Sequence, residues 1–326
     1  MTKKLGKIKD GLKGYPLLFY DFSFYNIIFD IKLYDMKKIV IVLLSLFFGG
    51  IFNIQAQNNK SDYNTRFNKF IQNRDTLFAK SVLNEWEENS PEDPDLYIAY
   101  LNYYFLKSLN QTAYISKEEP KEQVISSLAI KDSLGNISGY IVTKAVYDDN
   151  EIAKAVNYID KGILKYPNRL DMRACKIYIL GQSKKWSSYA SEIIDLIRHS
   201  NTINHQWILE GDKPVTDGED LFISSIQEYQ QQLYSLDTVG DNIRNIAAEM
   251  MKYYPKNVEN INYMAVSYIK DKDFKSALQY LKKAEKITPK DQMILRNMAI
   301  VYKKMGNDKK SKAYIKKMNS ELKQNN

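Results

Sequence analysis

The chain has 326 residues, 44% hydrophobic and 26% charged, a composition that sets aside wholesale disorder and a polytopic membrane protein. Its formal net charge of +8 is uneven: residues 1–56 hold 8 lysines against 4 acids, and the remainder carries 39 basic and 35 acidic groups, interspersed along the sequence in a way that argues against a nucleic-acid partner. A single cysteine, Cys175, excludes an intrachain disulfide, and 25 tyrosines beside 13 glycines and 8 prolines suit long helices with aromatic-filled interfaces rather than a turn-rich β-sandwich.

The first local signal is Met36-Lys37-Lys38, followed by the apolar run Ile39 to Phe48, then Gly49-Gly50 and Gln55-Ala56-Gln57. A basic start, an apolar stretch and a small residue make the three regions of a secretory signal peptide over 36–56. Cleavage is expected after Ala56, although Ile54 is larger than the residue usually found two places earlier. The apolar segment Ile39 to Ile54 has 16 residues, fewer than the ~20 that span a bilayer. An exported protein, periplasmic or secreted, is therefore expected, with an uncleaved, membrane-tethered form as the alternative. Residues 1–35 show no helical or alternating period, and Asp21 and Asp30 interrupt their apolar run. They are read as an upstream extension or a disordered segment, with Met36 the expected start.

Beyond residue 57 the apolar spacing is helical. Ala79, Leu83, Trp86 and Pro91 end one helix, and Asp95 to Leu106 forms the next. The segment between Leu106 and Glu151 is too long for a helix–helix turn, and the apolar runs that flank Gly135-Asn136 predict a small β-hairpin there. Ala155, Ile159, Gly162 and Pro167 repeat the spacing of the first helix end, and Leu170 to Leu180 follows. A second irregular stretch, between His199 and Asp217, contains Trp207. Tyr253-Tyr254-Pro255 closes another helix. Long loops of this kind are where function tends to sit.

The C-terminal third carries the clearest period. Counting Val258 as position 1 of a 34-residue unit places Ile261, Met264, Ala265 and Tyr268 at 4, 7, 8 and 11, and Phe274, Ala277, Leu281, Ala284 and Pro289 at 17, 20, 24, 27 and 32. A shift of 34 gives Leu295, Met298, Ala299, Tyr302, Ser311, Ile315 and Met318. Small residues at 8, 20 and 27 let two helices approach while large ones fill the space between them, and the proline ends the second helix. This pattern resembles the tetratricopeptide repeat, with Ile261 and Ala265 where that family usually has Trp and Gly. An all-α, superhelical solenoid of about six helix pairs follows as the expected fold: near 61–90, 94–166 (with the hairpin inserted), 170–200, 218–255, 258–289 and 291–322.

Catalytic patterns are thin. His199 and His205 are six apart, whereas a metal pair on one helix face wants three or four, so both are read as polar loop residues. Cys175 falls on a helix with no nearby histidine and is read as a small buried hydrophobe. The acids Asp212, Asp217, Glu219 and Asp220 lack a calcium loop's alternation, and Asp217 is expected to cap the helix that follows. Arg169, Asp171 and Arg173 are read as a helix-start salt bridge. No cofactor or metal is expected.

The function expected is a non-catalytic scaffold or adaptor of the cell envelope that binds a peptide or partner protein. The resemblance implies a concave surface lined by the first helix of each pair, with ligand positions 2, 5, 6, 9, 12 and 13. These map to Glu259, Asn262, Tyr263, Val266, Ile269 and Lys270, then Met293, Arg296, Asn297, Ile300, Lys303 and Lys304. Asn262, Tyr263, Ile269, Arg296, Asn297 and Lys303 are the leading candidates. Capture of a C-terminal carboxylate wants Lys at position 5 and Asn at position 9, where this chain has Asn262 and Val266. An envelope enzyme with a site in the 107–150 insertion or the 200–218 loop is the alternative.

Overall fold

A computed structural model describes residues 60–120, 124–234, 236 and 240–324. The expected signal peptide, 36–56, and the segment before it fall outside the described residues. Twelve described α-helices follow one another as six pairs: α1 (Lys60–Gln72) and α2 (Thr76–Asn89); α3 (Pro94–Ser108) and α4 (Asp149–Lys165); α5 (Leu170–Gln182) and α6 (Trp186–Thr202); α7 (Gly218–Tyr234) and α8 (Gly240–Tyr253); α9 (Val258–Lys270) and α10 (Phe274–Ile287); α11 (Gln292–Lys304) and α12 (Asp308–Gln324). Among the described residues no helix is long and apolar enough to cross a membrane.

The repeat is visible in how each helix starts and stops. Asp75, Asp148, Asn257, Asp273 and Asp291 each accept a backbone N–H from the first turn of the helix that follows, as a short polar side chain does best. Between the two helices of a pair the chain reverses through a left-handed residue at Arg74, Lys184, Lys272 and Gly306. The next N–H reaches back five residues, from Asp75 to Phe70 O, Lys185 to Leu180 O, Asp273 to Tyr268 O and Asn307 to Tyr302 O, at 2.8–2.9 Å. The second helices also end alike. Ser90, Tyr166, Tyr254 and Thr288 each donate to the carbonyl four back, with proline next at 91, 167, 255 and 289.

The core follows the predicted register. Ala277, Leu281 and Ala284 are fully buried and share one cluster with Ile261, Ala265, Ile294, Met298, Val301 and Tyr302, so α10 lies between the first helices of two consecutive pairs. In the second pair Gly162 holds position 27. A Cβ there would stand 2.8 Å from that of Tyr97, so the close approach of α4 to α3 requires glycine. Ile315, which corresponds to Leu281, is 43% exposed, and among the described residues no later pair packs on it.

The insertion is larger than the expected hairpin. It forms a three-stranded antiparallel sheet of order β1-β3-β2, with β1 Leu109–Ser116, β2 Ser126–Lys131 and β3 Ile137–Tyr147. The hairpin joins β2 to β3, and its turn is closed by Asp132 Oδ1, which accepts the N–H groups of Leu134 and Asn136, with Gly135 at a φ of 86°. The expectation missed β1. This sheet, Leu109–Tyr147, is one compact unit and the helical pairs another. Within the helical unit the Asp148 N–H donates to Ser108 O at 2.8 Å, so the second pair closes where the insertion leaves and re-enters it.

The irregular stretch after α6 is also more ordered than a loop. Two short strands, β4 (Ile208–Leu209) and β5 (Lys213–Pro214), pair antiparallel around a 3₁₀ turn at Glu210–Asp212. Trp207 is 1% exposed and its Nε1 donates to Ser200 Oγ at 2.9 Å, so it is a core residue and not a ligand-facing one.

Candidate functional site

The first helices of the last two pairs, α9 and α11, lie side by side and, with Tyr234 at the end of α7, form an open groove of about 150 Å³ lined by Tyr234, Val266, Ile269, Lys270, Asn297 and Ile300. Its aliphatic lining comes from Val266 and Ile300 at position 9 and Ile269 at position 12. Two asparagines order the floor. Asn297 is 3% exposed and its Nδ2 donates to Asn262 Oδ1 at 2.8 Å, while Asn262 donates to Met293 Sδ at 3.0 Å. A buried amide pair of this kind fixes both side-chain orientations. The Lys270 ammonium donates to Leu236 O at 2.7 Å and sits 5.6 Å from the Tyr234 ring centre, which places one cation at the groove's edge.

The six leading sequence candidates separate. Ile269 and Asn297 line the groove. Asn262 lies beneath it as the partner of Asn297. Tyr263 is buried, its hydroxyl donating to Gln227 O and Gln231 Oε1 at 3.3 Å each, and burial pushes its pKa up. Arg296 is exposed, and Lys303 is exposed and pairs with Asp308 at 2.7 Å. Tyr234 escaped the sequence reading. It stands 34 residues before Tyr268, at the same position 11, so the signal was present in a pair whose other positions had drifted.

The remaining polar clusters serve packing. Arg169 is 1% exposed and holds Asp171 through two bonds of 2.8 and 2.6 Å, and Asp95 through a third of 2.6 Å. Burial lowers its pKa, but the two carboxylates more than offset this and raise it. Glu192 binds Arg173 at 2.9 Å and Lys176 at 2.6 Å, and Lys176 also binds Asp160. The expected salt bridge is thus a buried network joining the second and third pairs. Cys175 is buried as expected, and burial raises its pKa, which disfavours the thiolate.

His199 is not a loop residue: it lies in the last turn of α6, 2.9 Å from Asn168 Oδ1 through Nε2, with its ring 5.4 Å from that of Trp207. His205 bonds Ser200 through Nδ1 and Tyr254 through Nε2. Among the described residues no three His, Cys, Asp or Glu side chains gather as metal ligands. Asp217 precedes α7 in a left-handed conformation and its carbonyl accepts the Leu221 N–H, with Glu219 and Asp220 in the first turn.

In the insertion, Ile115, Ile141 and Leu128 stand opposite one another across the three strands, 76%, 42% and 67% exposed. This row is aliphatic. Asp132, whose pKa is lowered by the backbone N–H groups of its turn, shapes the hairpin.

The 34-residue recurrence of caps, left-handed reversals and buried small residues decides the architecture. The fold is tetratricopeptide-like. No family model matches the chain, and no curated protein matches it in sequence. Solved structures similar to it include MamA from Desulfovibrio magneticus RS-1, at 11% identity over 82% of this chain and 98% of that one, with a TM-score of 0.28. A tetratricopeptide repeat protein from Parabacteroides merdae is 10% identical over 80% and 79%, with a TM-score of 0.35. The APC/C hetero-tetramer Cut9-Hcn1 gives 11% identity over 88% of this chain and 49% of that one, with a TM-score of 0.25.

Proposed function

We propose that this protein is an exported, non-catalytic scaffold that holds an extended segment of a partner protein on the first helices of its last two pairs. The observation that carries the reading is the groove between α9 and α11, where aliphatic walls surround a buried, pre-oriented asparagine amide. An apolar side chain of the partner fills the space between Val266, Ile269 and Ile300. Its neighbouring peptide group reaches Asn297, whose amide costs little to order because Asn262 already fixes it. The export signal at 36–56 supports an envelope or extracellular setting for that partner, and Gln57 is the mature N-terminus this reading expects.

Affinity capture from envelope extracts, with the wild type compared to Ile300→Asp and Val266→Asp, tests the reading. A partner retained by the wild type and lost by both variants, at unchanged helicity, supports it. Identical partners on all three place binding elsewhere.

A further inference from the structure

Lysines that alternate with other residues along the sequence collect on one face of the last two second helices. Residues 256–326 carry 17 basic and 7 acidic side chains, whereas residues 57–255 carry 22 basic and 28 acidic, so the charge of the array is divided along its length. On α10, Lys275, Lys282 and Lys286 are all exposed and lie opposite the buried Ala277, Leu281 and Ala284. Their spacing of seven and four keeps them on one stripe, with successive rises of about 10 and 6 Å. On α12, Lys309 and Lys316 take the positions of Lys275 and Lys282 one repeat later, and Lys312 lies beside them, all exposed.

The two stripes are held together. Glu285 of α10 accepts Tyr314 Oη at 3.0 Å and Lys317 Nζ at 2.7 Å, both from α12, so the acid between the stripes is already taken up. Asp308, at the start of α12, is taken up by Lys303. The aromatic rings nearby are also engaged, Tyr280 stacked on Tyr268 and Tyr314 on Tyr302. The equivalent outer positions are Asp241, Ala248 and Lys252 in α8, and Ala153, Asp160 and Leu164 in α4. Among these four helices only α10 and α12 carry lysine at more than one of these outer positions; the exposed Lys154, Lys161 and Lys165 of α4 keep the same spacing on another side of that helix, where Lys154 pairs with Glu151 and Lys165 with Glu92.

We propose that the outer faces of α10 and α12 form a lysine ladder that docks the protein on an anionic bilayer surface, C-terminal pairs first. Lysine is a mobile point charge that suits a diffuse field of lipid phosphates, whereas arginine's planar fork suits a fixed carboxylate or phosphate pocket. With the neighbouring rings stacked internally, the stripe offers no platform for nucleic-acid bases. The net negative charge of residues 57–255 turns the preceding pairs away from the same surface. The ladder lies on the second helices and the groove on the first, so docking does not depend on the partner-binding reading.

Co-sedimentation of the purified protein with vesicles tests this, using phosphatidylcholine alone and phosphatidylcholine mixed with phosphatidylglycerol. Binding is expected to the mixed vesicles only and to fall as salt shortens the screening length. Each surface lysine is worth about a fivefold change in partitioning, so Lys275→Gln/Lys282→Gln/Lys286→Gln should weaken binding about 100-fold. Lys117→Gln/Lys131→Gln/Lys213→Gln removes the same net charge from exposed lysines elsewhere and should change it far less. Equal losses in the two triple variants overturn the proposal, as does a wild type that ignores mixed vesicles yet binds RNA or an acidic protein through the ladder. Unchanged thermal melting of both variants separates docking from folding.

Discussion

Leu281 offers the sharpest test of the repeat register, because its counterpart one repeat later supplies an internal control. Leu281 of α10 is fully buried and belongs to one cluster with Ile261, Ile294 and Met298. Leu281→Ala removes three carbon groups, about 2.4 kcal/mol of transfer free energy at roughly 0.8 kcal/mol each. The void they leave adds to this, since neighbours on both sides are themselves tightly packed, giving a total of about 3–5 kcal/mol. Ile315 occupies the same position in α12 but is 43% exposed, so Ile315→Ala leaves no closed void and should cost about 1 kcal/mol. Urea titration followed by circular dichroism measures both. The three tryptophans, Trp86, Trp186 and Trp207, all lie before the last two pairs. Loss of helicity in Leu281→Ala should therefore begin at lower urea than the change in tryptophan fluorescence, since a repeat array melts from its weakest neighbours. Equal costs at 281 and 315 would refute the register, because it places one residue between two pairs and the other on the last described pair.

Three further outcomes follow from buried and half-buried groups. Ala277→Trp, at a fully buried contact, should overpack α10 and destabilise the last two pairs by about 1–3 kcal/mol or more, read as a lower melting temperature. Arg169→Met leaves Asp171 and Asp95 without their shared guanidinium and should cost about 3–5 kcal/mol in urea titration, whereas replacing Arg169, Asp171 and Asp95 together with apolar residues should recover most of it. Burial, and secondarily the Arg173 charge, lowers the pKa of His199 below its unfolded value. The unfolded chain then binds the proton more readily, so stability is full above about pH 6.5 and falls with pH through the folded value. His199→Gln should flatten that part of the stability profile measured by urea titration between neutral and mildly acidic pH.

The six helix pairs were legible because the information that makes them is local and repeated. Ala277 and Ala284 are small where two helices touch, Pro289 stops a helix, and the same choices return 34 residues later. The earlier pairs carry enough of it: Ala155, Ile159 and Gly162 are buried as their spacing predicts. The strand β1 was not legible, because Leu109-Asn110-Gln111-Thr112-Ala113-Tyr114 has no apolar alternation and gains its pairing from β3, about thirty residues away. The burial of Trp207 was not legible for a related reason. It lies outside any periodic segment, and only the fold shows that Ser200 and the ring of His199 close around it.

The groove was half legible. Repeat position alone selected Val266, Ile269, Lys270, Asn297 and Ile300. Position could not show that Asn297 donates to Asn262, since that bond links two helices across 35 residues. Nor could it separate Tyr263, which faces the preceding pair, from the residues beside it that face the groove.

The most direct test of partner binding is a photo-crosslinking scan with a benzophenone amino acid placed singly at Val266, Ile269 and Ile300 in the groove, at Gln279 and Ala313 on the outer helix faces, and at Ile115 and Leu128 in the insertion. One partner adduct is expected from the three groove positions and none from the other four. An adduct confined to Ile115 and Leu128, or to Gln279 and Ala313, would contradict it.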